Sequence, residues 1–270
     1  MKNTAKKIGV LLTALLFLVF AGCTACGGEG SGNPEGEVAM APSGLKKNAK
    51  VLFIGDSITD GGRRYDTYTD LTNLSKQFAD YMKAKFPDEE IAVYNAGVAG
   101  DTVLDLYYRL KEDCYDLQPD YIVLQIGVND SWSGYAGREA FEKHFRAVLK
   151  GIIDNTSAKI ILMRPYLLEA TPEMQKNSVI ANVNSYIPTV REISEVQQAV
   201  ADELGVAHFS LFEVTDKAIS SGIAPASLAP DAIHPSASLM SMMLDNVMLS
   251  LKTKDYTPKF KKLIVVPHDA

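Results

Sequence analysis

Four short segments of the chain contain the polar and glycine residues that could carry out chemistry. In chain order they are 55–58 (GDSI), 95–100 (NAGVAG), 127–130 (GVND) and 231–235 (DAIHP). The first three directly follow short apolar runs, and the fourth precedes a segment with helical periodicity. Together they hold an alcohol, an imidazole and carboxylates, the side chains with which a serine nucleophile is activated for acyl transfer.

Ser57 is the candidate nucleophile. A serine hydroxyl attacks a carbonyl poorly unless a neighbouring base takes its proton in the transition state. Ser57 follows a predicted buried strand, so its hydroxyl can project beyond the end of a sheet. A serine in this place is also a common helix N-cap, and Ser57 considered alone fits both roles.

His234 is the candidate base, since histidine is the side chain that titrates near neutral pH. Of the four histidines, the other three lie in a predicted helix, a predicted strand and the C-terminal tail. Only His234 has a carboxylate three residues earlier, Asp231, in a loop bounded by Pro230 and Pro235. One turn can fold Asp231 back onto Nδ1 and leave Nε2 for the nucleophile, as in a Ser-His-Asp triad. A capping aspartate beside an exposed histidine is the alternative.

The elements that must position these residues alternate along the chain. Short unbroken apolar runs predict buried strands, and apolar residues at helical spacing predict helices between them. Strands joined by crossover helices imply a three-layer α/β/α fold with a central, mainly parallel five-stranded sheet. In such sheets, sites lie beyond the carboxyl ends of the strands. The predicted strands are 51–54, 91–94, 121–126, 159–163 and 206–209, and the predicted helices are 71–86, 101–110, 138–153, 177–204 (interrupted at Pro188) and 236–251.

The four segments, in order and in kind, resemble the blocks of the SGNH (GDSL) hydrolase family. The resemblance covers roughly residues 50 to 250 and implies a flavodoxin-like fold. It also implies an oxyanion hole made of the backbone N–H of Ser57, the backbone N–H of Gly97 and the side-chain amide of Asn129. Asp56 would be a structural neighbour of the nucleophile rather than the third member of the triad.

The resemblance implies a serine esterase that hydrolyses a carboxylic ester through an acyl-enzyme. The blocks are most similar to those of carbohydrate-acting acetylesterases, which favours an acetyl group on an extracellular carbohydrate. A lysophospholipase or other lipid esterase, an O-acyltransferase on the same scaffold and a catalytically inactive surface binding protein are the alternatives. Trp132 and Tyr166 follow predicted strands closely and are expected to line the substrate pocket, although Trp132 would suit a core or lid equally well.

The N-terminal region predicts export and anchoring. Three lysines precede an apolar run over 8–20 and small residues before Cys23, as in a signal peptide spanning 1–22. The tetrapeptide FAGC resembles the lipoprotein box in which the cysteine is lipidated, so the protein is expected on the bacterial membrane or cell surface. A plain secretory signal is the alternative. A flexible tether is predicted over 23–47 and the hydrolase domain over 48–252, while 253–270 is a tail without an assigned structure.

Composition excludes several other classes of function. The chain has 270 residues, 47% of them hydrophobic, and a formal net charge of −6, with no cluster of basic residues that nucleic-acid binding would need. It contains neither a Walker A sequence nor a GxSxG segment. The three cysteines and four histidines show no metal-ligand spacing, so neither a metal nor a cofactor is expected, and Cys114 is predicted to be a buried apolar residue. No feature favours a particular oligomeric state.

Overall fold

Five parallel strands form the central sheet. The computed structural model describes residues 42–62 and 73–252. The strands are β1 (Lys50–Gly55), β2 (Ala92–Gly97), β3 (Tyr121–Gln125), β4 (Lys159–Arg164) and β5 (Ala207–Ser210). They lie in the order β2-β1-β3-β4-β5, and all four neighbouring pairs are parallel. The predicted three-layer α/β/α fold with a parallel five-stranded sheet is confirmed.

Nine α-helices lie in the described part of the chain. They are α1 (Ser57–Asp60), α2 (Leu74–Lys85), α3 (Val103–Leu110), α4 (Arg138–Asn155), α5 (Pro172–Asn177), α6 (Ile187–Leu204), α7 (Leu211–Ser220), α8 (Pro225–Leu228) and α9 (Ala237–Lys252). A π-helical turn, Lys111–Tyr115, extends α3, and 3₁₀ turns cover Pro87–Glu89, Asn129–Ser131 and Val183–Tyr186.

Helices cover both faces of the sheet. Because successive side chains of a strand point to opposite faces, Val51 and Phe53 of β1 pack in the core with α2, α7 and α9. Leu52 and Ile54 point the other way and pack with α3, α4 and α6. Burial on both faces explains why the central strands β1, β3 and β4 read as continuous apolar runs in the sequence.

The predicted helix over 177–204 is wrong in its first part. Helix α5 already ends at Asn177, and α6 begins only at Ile187, after a loop and a 3₁₀ turn. Pro188 lies in the first turn of α6, where a missing N–H sacrifices no helical hydrogen bond, so it starts the helix rather than interrupting it. Helix α3 is capped by Thr102 and begins at Val103, two residues after the start of the predicted helix over 101–110.

The folded domain begins earlier than residue 48. The Leu45 side chain is fully buried in the core, and the backbone N–H and hydroxyl of Ser43 both donate to the Glu89 carboxylate. The end of the predicted tether, from residue 43, therefore packs on the domain. The predicted signal peptide, Cys23, the rest of the tether up to residue 41 and the tail over 253–270 lie outside the described residues. In the ranges 42–62 and 73–252, no helix has the length and apolarity required to cross a bilayer.

The strand order places a crevice at the end of β1. The chain passes from β1 to β2 on one side and then returns to β3 on the other side of β1. This reversal opens a gap beyond the carboxyl ends of β1 and β3, where open parallel sheets bind ligands. The GDSI segment follows β1 and the GVND segment follows β3, so the topology brings both to this edge.

Candidate active site

Ser57 is the first residue of the short helix α1, directly after β1. A Cβ added to Gly55 would lie 1.8 Å from the carbonyl oxygen of Gln125, so only glycine lets the chain turn this tightly against β3. Asp56 is the N-cap, and its carboxylate accepts the N–H of Ile58 at 2.9 Å. The capping role therefore belongs to Asp56, and the hydroxyl of Ser57 is left to project into the crevice.

The three side chains predicted to act together lie in one hydrogen-bonded chain. The Oγ of Ser57 is 2.9 Å from Nε2 of His234, and Nδ1 of His234 is 2.6 Å from Oδ2 of Asp231. The other carboxylate oxygen of Asp231 accepts the backbone N–H groups of Ile233 (3.0 Å) and His234 (2.7 Å). With its proton on Nδ1, the imidazole donates to Asp231, and Nε2 is left to accept from Ser57.

The charges and hydrogen bonds around His234 favour its protonated, charged imidazole. Burial lowers the pKa of His234, but the hydrogen bond and negative charge of Asp231, together with the charge of Asp56, outweigh it and hold that pKa above its ordinary value. Burial raises the pKa of Asp231, but its bonds from His234 and Ile233 hold it below its ordinary value. Such a site keeps the carboxylate ionised and stabilises the imidazolium that forms when a proton leaves the serine.

Buried contacts from the segment after β4 support the histidine loop. The Tyr166 ring is 0% exposed, and its hydroxyl donates to the carbonyl of Ile233 at 2.8 Å. The N–H of Leu168 donates to the carbonyl of Ala232 at 3.0 Å. The expectation that Tyr166 lines the substrate pocket is therefore wrong. Its ring packs beneath the loop because the hydroxyl finds a buried backbone acceptor there.

A pocket of about 560 Å³ opens above Ser57 and His234. Among the described residues that line it, Asp60 and His234 are the ones with ionisable side chains, and neither lysine nor arginine is present. Trp132 lies in the wall, where its ring packs edge-on against Tyr186 with centroids 5.8 Å apart. The apolar part of the lining comprises Ile58, Ala99, Trp132, Val179, Ile180, Ile233, Pro235 and Met240.

Val179 and Ile180 were not expected in this wall. Both lie in the loop between α5 and α6, and Val179 is 74% exposed. The sequence interpretation placed them inside a helix, so it assigned them no contact with a ligand. An apolar pair within a short polar stretch is the signal that could have indicated them.

Asn129 and Ser57 supply polar hydrogens at the pocket. Asn129 lines the pocket from the 3₁₀ turn after β3, and its Nδ2 donates to the carbonyl of Asp101 at 2.9 Å. An amide nitrogen carries two hydrogens, so this bond leaves a second one for another acceptor. The N–H of Ser57 belongs to the first turn of α1, where backbone donors have no helical partner.

Gly97 does not occupy the position expected of an oxyanion donor. Its N–H donates to Oδ1 of Asn95 at 2.9 Å, and a Cβ added to it would lie 2.2 Å from the backbone nitrogen of Asp60. Gly97 is thus required for close packing between β2 and α1. Of the two glycines in the NAGVAG segment, Gly100 is the one that lines the pocket with Ser57 and Asn129, so the assignment of Gly97 is wrong.

Gly100 occupies a tight turn at the pocket rim. The N–H of Asp101 donates to the carbonyl of Val98 at 3.2 Å and closes a four-residue turn with Gly100 in its third position. Gly100 has φ of +91°, the positive value that the third position of a type II turn requires. The family resemblance placed the donor at Gly97, because residue type alone does not distinguish the two glycines of NAGVAG.

Other expected features lie apart from the pocket. Cys114 is fully buried, and burial raises the pKa of its thiol to about 12. His208 lies in β5 and pairs with Asp202 at 3.0 Å. Over residues 42–62 and 73–252 no group of three or more metal-ligating side chains comes together.

Comparison with known proteins identifies the chain as a carboxylic ester hydrolase and gives its family. Residues 53–240 match the family model described as the GDSL-like lipase/acylhydrolase family. An acetylxylan esterase of Geobacillus stearothermophilus is 32% identical over 200 residues, which are 69% of this chain and 86% of the relative. The chain therefore belongs to the GDSL-like lipase/acylhydrolase family, as the four segments predict.

Solved structures show the same fold. A point mutant of Axe2, an acetyl-xylooligosaccharide esterase of Geobacillus stearothermophilus, superposes with a TM-score of 0.65 at 25% identity over 78% of this chain and 97% of that chain. LAE5, an α/β hydrolase enzyme from the metagenome of Lake Arreo, gives a TM-score of 0.63 at 22% identity over 77% of this chain and 97% of that chain.

Proposed function

We propose that this ester hydrolase removes acetyl or other short acyl groups from a carbohydrate, with Ser57 as nucleophile, His234 as base and Asp231 as the residue that orients the base. The observation that carries the proposal is the chain of contacts from Ser57 Oγ through the imidazole to Asp231, at the floor of an open pocket. A polar chain of this kind activates a serine for acyl transfer at neutral pH.

The proposed reaction has two halves. Ser57 Oγ attacks the ester carbonyl while Nε2 of His234 takes the hydroxyl proton, and the tetrahedral intermediate collapses as that proton passes to the leaving alcohol. A water molecule then attacks the acyl-serine while Nε2 takes one of its protons, and the second tetrahedral intermediate releases the acid as Nε2 returns that proton to Ser57 Oγ. We assign the oxyanion to the N–H groups of Ser57 and Gly100 and the amide of Asn129, because all three residues line the pocket.

Two features support a carbohydrate substrate. Trp132 offers an aromatic surface of the kind that packs on sugar rings, and the relative at 32% identity is an acetylxylan esterase. These features support an acetylated carbohydrate over a phospholipid.

Turnover of p-nitrophenyl acetate by the Ser57→Ala variant tests the mechanism. We expect kcat/KM to fall by about 10⁴-fold or more, since the variant keeps only the oxyanion hole and binding. Ser220→Ala is the matched control, because Ser220 is exposed on α7 and its hydroxyl donates to the carbonyl of Lys217 in the same helix. Equal rates for wild type and Ser57→Ala would remove the serine mechanism.

A substrate panel tests the substrate class. We expect acetylated xylooligosaccharides and short-chain aryl esters to be hydrolysed faster than octanoyl esters or lysophosphatidylcholine. Preference for the lysophospholipid would contradict the carbohydrate assignment. Product analysis with and without a glycan acceptor distinguishes hydrolysis from acyl transfer, because transfer leaves the acyl group on the acceptor instead of releasing acetate.

We also propose that the protein acts outside the cytoplasm, held on the membrane by a lipid on Cys23. The basic residues, apolar run and FAGC segment that end at Cys23 support this location. A single acyl chain binds membranes only marginally, so stable anchoring needs more than one. Recovery of the full-length protein in the soluble fraction of cells, with no detergent needed for extraction, would contradict the anchor.

A further inference from the structure

Side chains from two separate elements, the 3₁₀ turn after β3 and helix α3, hold the turn that carries Gly100. Nδ2 of Asn129 donates to the carbonyl of Asp101, and both carboxylate oxygens of Asp130 accept the N–H of Val103, at 3.1 and 3.2 Å. These contacts fix the segment after Gly100 from the side of β3. Asp130 is buried, and burial raises the pKa of its carboxyl to about 6.

Arg109 holds the same turn from the side of α3. Its guanidinium donates through Nε to Asp101 Oδ2 (2.6 Å) and through Nη2 to the carbonyl of Gly55 (2.8 Å). Its Nη1 donates to the carbonyl of Ala96 (2.7 Å) and to Asp113 (2.6 Å). The side chains of Arg109 and Asp101 are only 16% and 12% exposed, so solvent screens this pair little.

We propose that Arg109 is a positioning residue for catalysis, which through Asp101 sets the direction of the Gly100 N–H relative to the hydroxyl of Ser57. This inference rests on the proposed function, in which that N–H stabilises the oxyanion. Arg109 bonds the last carbonyl of β1, two residues before Ser57, and also the residue after Gly100. One rigid group therefore links the nucleophile to one of the oxyanion donors.

The planar shape of the guanidinium matters for this role. Arginine presents five donors in a fixed fork, whereas lysine presents a single ammonium group at the end of a flexible stem. A lysine at position 109 could bond Asp101 or the carbonyls of Gly55 and Ala96, but it could not hold all of them in one geometry. Oxyanion donors act only when they are fixed in place, and misplacement by about 1 Å can cost about 10² in rate.

A matched pair of substitutions separates positioning from general stability. Asp101→Asn and Asp113→Asn each remove one of the two negatively charged partners of the Arg109 guanidinium. Only Asp101 belongs to the turn, since Asp113 lies on the π-helical extension of α3. We expect Asp101→Asn to lower kcat by about tenfold to 10² with KM within about twofold of wild type. Asp113→Asn should change kcat by less than about twofold.

Substitution of Arg109 itself grades the effect. We expect Arg109→Met to lower kcat by about 10² and Arg109→Lys to recover part of that loss, with KM nearly constant in both. Arg146→Met is the control, because Arg146 lies on α4 and pairs at the surface with Glu142 and with Glu203 of α6. Thermal melts of every variant identify those that are folded at the assay temperature, and should Arg109→Met fail to fold, the aspartate pair decides.

The inference is overturned by equal losses in Asp101→Asn and Asp113→Asn, by a loss that appears in KM rather than kcat, or by wild-type kcat in folded Arg109→Met. Its failure is distinguishable from failure of the proposed function. If Ser57→Ala is inactive while Asp101→Asn keeps the wild-type kcat, only the role of Arg109 is wrong. If Ser57→Ala retains wild-type turnover, the proposed function itself fails.

Discussion

The histidine loop (231–235) and the glycine turn (98–101) face the same pocket but are built in opposite ways. In the histidine loop, Asp231 binds the ring of His234 and two N–H groups of its own loop, so four consecutive residues contain most of the geometry. The glycine turn closes with one internal bond and is otherwise held by side chains of other elements, Asn129 and Asp130 of the 3₁₀ turn after β3 and Arg109 of α3.

This difference predicts how each region responds to mutation. A group that is oriented by its own loop depends on one or two residues, and their loss should change its ionisation directly. A turn that is held by residues of several elements depends on each of them only in part. Loss of one such residue should shift the turn slightly and should leave the pKa of His234 unchanged. The predictions below test this contrast in order of decreasing effect.

The largest effect is expected from Asp231→Asn. Loss of the carboxylate removes the charge and hydrogen bond that hold the pKa of His234 above its ordinary value and that select the tautomer. We expect kcat/KM to fall by about 10³- to 10⁴-fold. His234 must be neutral to accept a proton, so activity rises as pH increases through its pKa, and the acid limb of the profile should move to lower pH in the variant.

The pH profile of kcat/KM reports the ionisation of groups in the free enzyme. For the Asp231→Asn variant it measures both the fall in kcat/KM and the shift of the acid limb. Asp216→Asn serves as control, because Asp216 is exposed on α7 and lies outside the pocket. An acid limb that stays in place, or moves to higher pH, would show that Asp231 does not set the ionisation of His234.

An intermediate effect is expected at the two glycines, and it distinguishes their roles. A Cβ on Gly100 would meet no atom within 4 Å, but the positive φ costs a non-glycine residue about 1–2 kcal/mol. We expect Gly100→Ala to lower kcat by about tenfold, as the strained turn shifts the N–H, with a melting temperature only a few degrees lower.

Gly97→Ala should instead act on stability. Its Cβ would meet the backbone of Asp60 at 2.2 Å, so α1 must move, and the cost should be about 3 kcal/mol or more. Thermal melts together with kcat for both variants give the answer. A larger loss of melting temperature in Gly100→Ala than in Gly97→Ala would contradict the assignment of the close-packing role to Gly97.

The fold could be predicted from the sequence because its signals are local and agree with one another. Each buried strand is an apolar run of a few residues, and the intervening helical periodicities are long enough to require crossovers. The loop at 178–182 could not be predicted in this way. Val179 and Ile180 continue the apolar pattern of a helix, yet they lie in the loop between α5 and α6 and line the pocket wall.

The parts of the site that could be predicted from the sequence are also those with local signals. Asp231 and His234 are three residues apart, so their contact follows from a single turn of the chain. Gly97 and Gly100 are equivalent by residue type, and only the close approach of α1 and the turn at Val98 separate their roles. The role of Arg109 could not be predicted from the sequence. Three of its acceptors lie outside its helix, namely the carbonyls of Gly55 and Ala96 and the carboxylate of Asp101. The fourth is the carboxylate of Asp113 on the π-helical extension of α3.

The smallest effect is expected from Tyr166→Phe, which tests how far the histidine loop depends on support from outside. The substitution leaves the buried carbonyl of Ile233 without its donor, at a cost of about 1–2 kcal/mol, or roughly 2–8 °C in melting temperature. Because Asp231 orients His234 within the loop, kcat should fall only a few-fold and the acid limb of the pH profile should stay in place. Tyr121→Phe is the matched control, since it removes a buried hydroxyl that accepts the N–H of Lys46. Tyr121 is the first residue of β3, at the opposite end of the strand from the pocket. A loss of kcat in Tyr166→Phe that approaches the loss in Asp231→Asn would show that the geometry of the histidine loop, like that of the glycine turn, depends on contacts with other elements.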